Sequence, residues 1–234
     1  MKRRQFVQVC AAAAAGGAAL PHASNAAALT ARMYKRAKLV DEKGVPVHLA
    51  QLQAGRNYVF DYPYSSTPCF LLRLHTPATA GIELKTETGS AYKWEGGVGA
   101  GRDVVAYSAI CAHKMTYPTR QVSFIGYRDG PSPVAGRGKV ITCCSDRSVY
   151  DPAAGARVVS GPAPQPLATI LLEHDAKADE VFAVGTFGGE MFAEFFRKFE
   201  FRLQLEMGPR VRNSVEGTTV VRELENYSTQ WAKC

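Results

Sequence analysis

Two short boxes carry the side chains best suited to hold a metal. The first, Cys111-Ala-His113, sets a thiol and an imidazole two positions apart. On an extended segment, residues at that spacing project to the same side. The second box reads Cys143-Cys-Ser-Asp146-Arg-Ser148-Val-Tyr150-Asp151. It offers a thiol, a carboxylate three positions later, and two hydroxyls beyond that. Thiolate is a soft, strong ligand for iron, and neutral imidazole also suits iron. Two loops that each bring a thiolate and a second ligand can close around one metal centre. No Ser/His/Asp set, phosphate loop or four-ligand zinc spacing competes with them.

Such loops need a rigid frame. From Val45 the chain runs in short apolar stretches broken by Gly, Pro, Asp and Asn: Asn57–Tyr62, Phe70–Leu74, Asp103–Tyr107, Lys139–Thr142, Thr169–Leu172 and Val181–Val184. Regular spacing with turn signals predicts an all-β antiparallel sandwich. Asp103 to Ile110 is a strand that presents the first box. The end of the chain differs. Phe192, Phe195, Phe196 and Phe199 share one helical face, and these phenylalanines are expected in the core. After them Phe199, Phe201, Leu203, Leu205 and Met207 alternate with polar residues, which predicts a half-buried strand.

The boxes resemble the Rieske iron–sulfur family, in which two thiolates hold one iron of a [2Fe–2S] cluster and two imidazoles the other. Rieske proteins commonly show Cys-x-x-His-x-Ser-x-Tyr/Phe-Asp in the second box. Matching Ser148-x-Tyr150-Asp151 to that pattern puts Cys143 on the cysteine ligand and Asp146 on the histidine ligand. Ser148 and Tyr150 fall on hydroxyls that, in the family, donate to a bridging sulfide and a cysteine sulfur. Gly161-Pro-Ala-Pro-Gln-Pro-Leu167 resembles the proline-rich loop that covers the cluster. Thr116 and Ser145 stand where many members carry a disulfide between the two loops. That paired loss, with Thr67-Pro-Cys-Phe-Leu-Leu72 and Arg102–Ser108, resembles the small subunit of arsenite oxidases. The resemblance implies a Rieske-like fold with a small cluster-binding subdomain over 45–190, and a helix/strand extension over 191–234. It also implies electron transfer as one subunit of an oxidoreductase, beside a large molybdopterin-containing catalytic subunit and a cytochrome or similar acceptor. A Rieske-shaped binding or assembly subunit without a cluster is the alternative.

The interval from His113 to Cys143 is longer than the family pattern, and Gly126–Pro133 with Gly136–Gly138 read as loop. Asp146 is the main departure. Three readings stay open: Asp146 ligates iron; Cys144, His75 or His174 replaces it; or the boxes are relics. A carboxylate in place of imidazole adds negative charge and removes one titrating ring, so a lower and less pH-dependent potential is expected. Elsewhere Cys69 reads as a buried small hydrophobe. Cys234 reads as a thiol without a role, and Asp151 as a turn or capping residue.

Lys2-Arg3-Arg4-Gln-Phe6, an Ala/Gly run and Ser24-Asn25-Ala26 form a Tat-type export signal over 1–29. A periplasmic location follows, with membrane attachment only if the leader is retained. Losing Lys2, Arg3 and Arg4 lowers the net charge from +7 to +4. That mildly basic surface suits an acidic redox partner, and no basic cluster or nucleic-acid motif is present. Five cysteines remain after the leader, an odd number that argues against a complete disulfide framework.

Overall fold

A computed structural model describes residues 29–234, so the expected leader lies outside it except for Leu29. The chain is all-β around one long sheet. Its strands are β1 (Arg32–Val40), β2 (Tyr58–Asp61), β3 (Pro68–Arg73), β4 (Ile82–Lys85), β5 (Ala91–Trp94), β6 (Val104–Ser108), β7 (Val122–Ser123), β8 (Ile125–Arg128), β9 (Val140–Cys143), β10 (Ser148–Asp151), β11 (Arg157–Ser160), β12 (Thr169–Asp175), β13 (Glu180–Phe187), β14 (Gly217–Val220), β15 (Arg222–Glu223) and β16 (Gln230–Trp231). Helix α1 spans Met191–Met207 and the short α2 Leu224–Tyr227. Among the described residues no helix is long and apolar enough to cross a membrane.

The long sheet runs β14-β1-β13-β12-β6-β3-β2-β15. Every pairing is antiparallel except β1 with β14. Its central strands are buried on both faces, as their unbroken apolar runs require. Successive side chains then alternate between two cores. Phe60, Leu71, Val104 and Ala106 face a core filled by Phe192, Phe195, Phe196 and Leu203 of α1. Val59, Phe70, Leu72, Val105 and Tyr107 face a second core, against β4-β5 and the four-stranded sheet β11-β10-β9-β8. Cys111, Cys143 and Tyr150 belong to this second core.

All six strands expected from the apolar runs are present. Three expectations are corrected. The segment 199–207 is not a strand, because α1 continues through it to Met207. Met191, Phe192, Phe195, Phe196 and Leu203 are its buried positions, at helical spacings, whereas Phe201 and Leu205 are 77% and 74% exposed. The alternation was a coincidence on a helix anchored by the preceding phenylalanines. Gly126–Arg128 is not loop but part of β8. There the Trp231 indole lies 2.6 Å from where a Cβ on Gly126 would sit, so only glycine leaves room for it. The sheet also starts before Val45, with β1 between β13 and β14.

Cys69 is fully buried as expected, and burial raises its thiol pKa. Asp151 caps the turn Pro152–Ala154 by accepting from the Ala153 N–H. Phe192, Phe195 and Phe196 of α1 are core, Phe199 packs against it half-buried, and Phe201 is exposed.

Candidate metal centre

The first loop leaves β6 and folds back on itself. Ser108 Oγ accepts from the Ile110 N–H at 3.1 Å. The Cys111 N–H donates to the Thr116 carbonyl (2.8 Å), and the Met115 N–H to the Cys111 carbonyl (2.9 Å). These bonds bury Cys111 and leave His113 at the apex, its side chain 36% exposed. Beneath the apex Tyr117 meets Phe195 and Phe199 of α1 edge-on, at 5.0 and 5.2 Å between ring centroids. Lys198 of α1 donates to the Lys114 carbonyl at 2.7 Å.

The second loop is the tight connection of the β9–β10 hairpin, in which Cys143 pairs with Ser148. The Arg147 N–H donates to the Cys143 carbonyl (2.7 Å) with Arg147 at φ 64°. Asp146 Oδ1 accepts from the Ser148 N–H at 2.9 Å, the self-bonding that suits aspartate to turns. The segment Gly161–Leu167 presses on this loop. A Cβ on Gly161 would come within 2.5 Å of Ser148 Cα, so only glycine permits the approach.

The loops bring Cys111, Cys143 and Asp146 together, while His113 stands outside that group and is tied to it through Asp146. Ligand atoms of Cys111, Cys143 and Asp146 all lie within 4.8 Å of one another. His113 Nδ1 is 3.1 Å from Asp146 Oδ2, and the Cys111 thiol donates to the same oxygen at 3.2 Å. Tyr150 Oη sits 3.2 Å from Cys111 Sγ and accepts from the Ala112 N–H at 3.2 Å. The Asp146 side chain is only 2% exposed. Burial pushes its pKa up, but the Ser148 N–H and the Cys111 thiol outweigh that, and its carboxyl is held below the usual range. The Cys143 thiol lowers the pKa of Cys111 and is itself raised by the same contact. One thiolate at this spacing is favoured and a second resisted unless a cation joins them. Burial and the Cys111 sulfur raise Tyr150, keeping it a hydroxyl donor.

The alternative fourth ligands are placed elsewhere. Cys144 forms a disulfide with Cys234, with a Cα–Cα distance of 5.7 Å. It is therefore not a free thiol, and Cys234 has a structural role after all. His75 bonds Asp129 at 2.6 Å and His174 bonds Asp179 at 2.8 Å. Neither joins the cysteine pair. The bridge was the residue pair that sequence reasoning missed. Its signal was available by subtraction: once two ligand thiols and buried Cys69 are set aside, Cys144 and Cys234 are the remaining pair outside the leader.

No model of a known protein family matches the chain. Among solved structures the chain is similar to the soluble domain of the Rieske protein II from Sulfolobus acidocaldarius. The likeness covers 65% of this chain and 78% of that one, at 27% identity and a TM-score of 0.44.

The donor set suits an iron–sulfur group. Cys111 and Cys143 are buried and are not bonded to each other, and thiolate pairs are what such clusters require. Among the described residues, Ser148 Oγ is one of five buried side-chain polar atoms without a hydrogen-bond partner. Buried hydroxyls are ordinarily satisfied, and this one lies where it could donate to a group bound in the site.

Proposed function

We propose that the protein is a periplasmic electron-transfer subunit that holds a Rieske-type [2Fe–2S] cluster through Cys111, His113, Cys143 and Asp146. The observation that carries this reading is the convergence of Cys111, Cys143 and Asp146 from two loops, with His113 beside Asp146 at the exposed edge. Such a cluster, when bound, supplies a one-electron relay. The chain's own residues hold and tune it. Cys111 and Cys143 supply thiolate charge, Ser148 and Tyr150 donate hydrogen bonds, and Asp146 adds a negative charge that opposes reduction. The second core keeps water from the thiols. The proposed partners are a large catalytic redox subunit, molybdopterin-containing by the arsenite oxidase resemblance, and a cytochrome or similar acceptor.

A second reading, a cluster-free binding or assembly subunit, draws on one observation. Asp146 is already satisfied by Ser148, Cys111 and His113 without a metal. Iron and acid-labile sulfide in protein matured with its own export machinery decide between the two. About two of each per chain are expected for the cluster. Protein free of both overturns the electron-transfer reading in favour of the second.

A further inference from the structure

The strongest feature outside the metal site is a cationic and apolar surface that joins the apex of the first loop to α1. Lys114 follows His113 on the first loop, Arg147 follows its partner Asp146 on the second, and Lys198 of α1 bonds the Lys114 carbonyl; all three cations are exposed. Among the described residues none of these three cations forms an ion pair. By contrast, Arg197 and Arg202 of α1 are paired to Glu194 and Glu206. Lys198 is tied to the loop by its bond to the Lys114 carbonyl, which fixes α1 beside His113. Phe201 and Leu205 follow Lys198 on the outer stripe of α1 by three and seven positions. At the helical rise they lie about 5 and about 10 Å along the axis from it. They are the two most exposed large apolar side chains described. Both stand on the side of α1 away from the core, where no other part of the described residues uses them.

Resting on the electron-transfer reading, we infer that this surface docks an acidic redox protein. Its partner is a one-electron carrier whose apolar contact patch is rimmed by carboxylates. Lys114, Arg147 and Lys198 steer that rim onto the apex around His113, and Phe201 and Leu205 cover the apolar patch. Unpaired cations in a ring raise the encounter rate with an acidic partner, while a small apolar contact sets the lifetime. An anionic membrane fits less well, because two apolar side chains are few for an interfacial helix.

The test measures one-electron transfer from dithionite-reduced holoprotein to two carriers, an acidic plastocyanin and a basic cytochrome c. The EPR signal of each sample is recorded first. At low salt the plastocyanin reaction is expected to be the faster and to slow steeply as salt is added. The double variant Lys114→Glu/Lys198→Glu should slow it about tenfold and speed the cytochrome c reaction. Phe201→Ser/Leu205→Ser should slow plastocyanin about threefold while keeping the salt dependence. Rates within about twofold of wild type for both carriers, with the EPR signal intact, overturn the docking surface alone. So does salt-sensitive binding to phosphatidylglycerol vesicles that the lysine variant abolishes without changing electron transfer. A wild-type sample with no cluster signal overturns the electron-transfer reading itself, and the docking inference with it.

Discussion

The two loops that build the candidate metal site are held by different physics. The second is a hairpin turn with its own internal bonds, a glycine-fitted cover and a covalent strap. Cys144, beside Cys143, is bonded to Cys234, whose segment lies along β7 through Gln230 and Trp231. Trp231 packs on Gly126 of β8, and the Cys144 N–H donates to the Phe124 carbonyl. The first loop has no such strap. It leans on α1 through Tyr117, Phe195 and Phe199 and through one lysine bond. It is also the loop that exposes its candidate ligand, with His113 at 36% against 2% for Asp146. A rigid buried side and a packed but uncovered side would let electrons leave at His113 while Cys143 stays fixed.

The largest effects should erase the difference between the loops. Cys111→Ser and Cys143→Ser should each abolish iron binding, because one thiolate cannot replace two at the same iron; metal analysis checks both. Next, Tyr117→Ala removes the contact of the first loop with α1. It should cost about 4 kcal/mol in urea unfolding, from lost burial and aromatic pairing, and should broaden the signal of a histidine-bound iron. Cys234→Ser acts on the other loop and should cost about 3 kcal/mol by freeing the unfolded chain. Dithiothreitol treatment of wild type should reproduce that loss, and a null result would show that the strap does not hold the second loop.

A smaller effect lies beside the tail of the first loop. Burial pushes the Asp61 carboxyl up to about 7, against the pull of Arg120 and Arg222. Its ordinary value is about 4. The folded state therefore binds this proton more tightly than the unfolded one. The stability it contributes is complete below pH ~4 and is lost as pH rises to about 7. Asp61→Asn should match wild type near pH 4 and gain about 1–2 kcal/mol at pH 8, which denaturation at the two pH values reads directly. The smallest effect is the most local. Ser148→Ala should leave the cluster-free protein within about 0.5 kcal/mol of wild type, since its hydroxyl has no protein partner. In the holoprotein it should lower the midpoint potential by removing a donor.

The site was more legible than the fold around it. Cys111, His113, Cys143, Asp146, Ser148 and Tyr150 were all named by spacing and resemblance; the structure groups Cys111, Cys143 and Asp146, with His113 reached through Asp146. Loop boxes are local, so their geometry is written in adjacent residues. The strands of the central sheet were legible for the same reason, as apolar runs cut by turn residues. What was not legible depended on distant partners. Phe201 and Leu205 fit either period until Phe195 and Phe196 find the sheet and fix the helix. The Cys144–Cys234 bridge spans 90 residues, and no local pattern announces it. Gly126 reads as a loop glycine until Trp231 arrives beside it.

The central claim is that Asp146 stands as a ligand in a two-loop iron–sulfur site. EPR of the dithionite-reduced protein, wild type against Asp146→His, tests it most directly. The account predicts a reduced-cluster signal in both. The histidine variant should show shifted g-values and a midpoint potential higher by on the order of 100 mV, as one negative charge leaves the iron. A cluster signal identical in the two proteins would contradict Asp146 as a ligand.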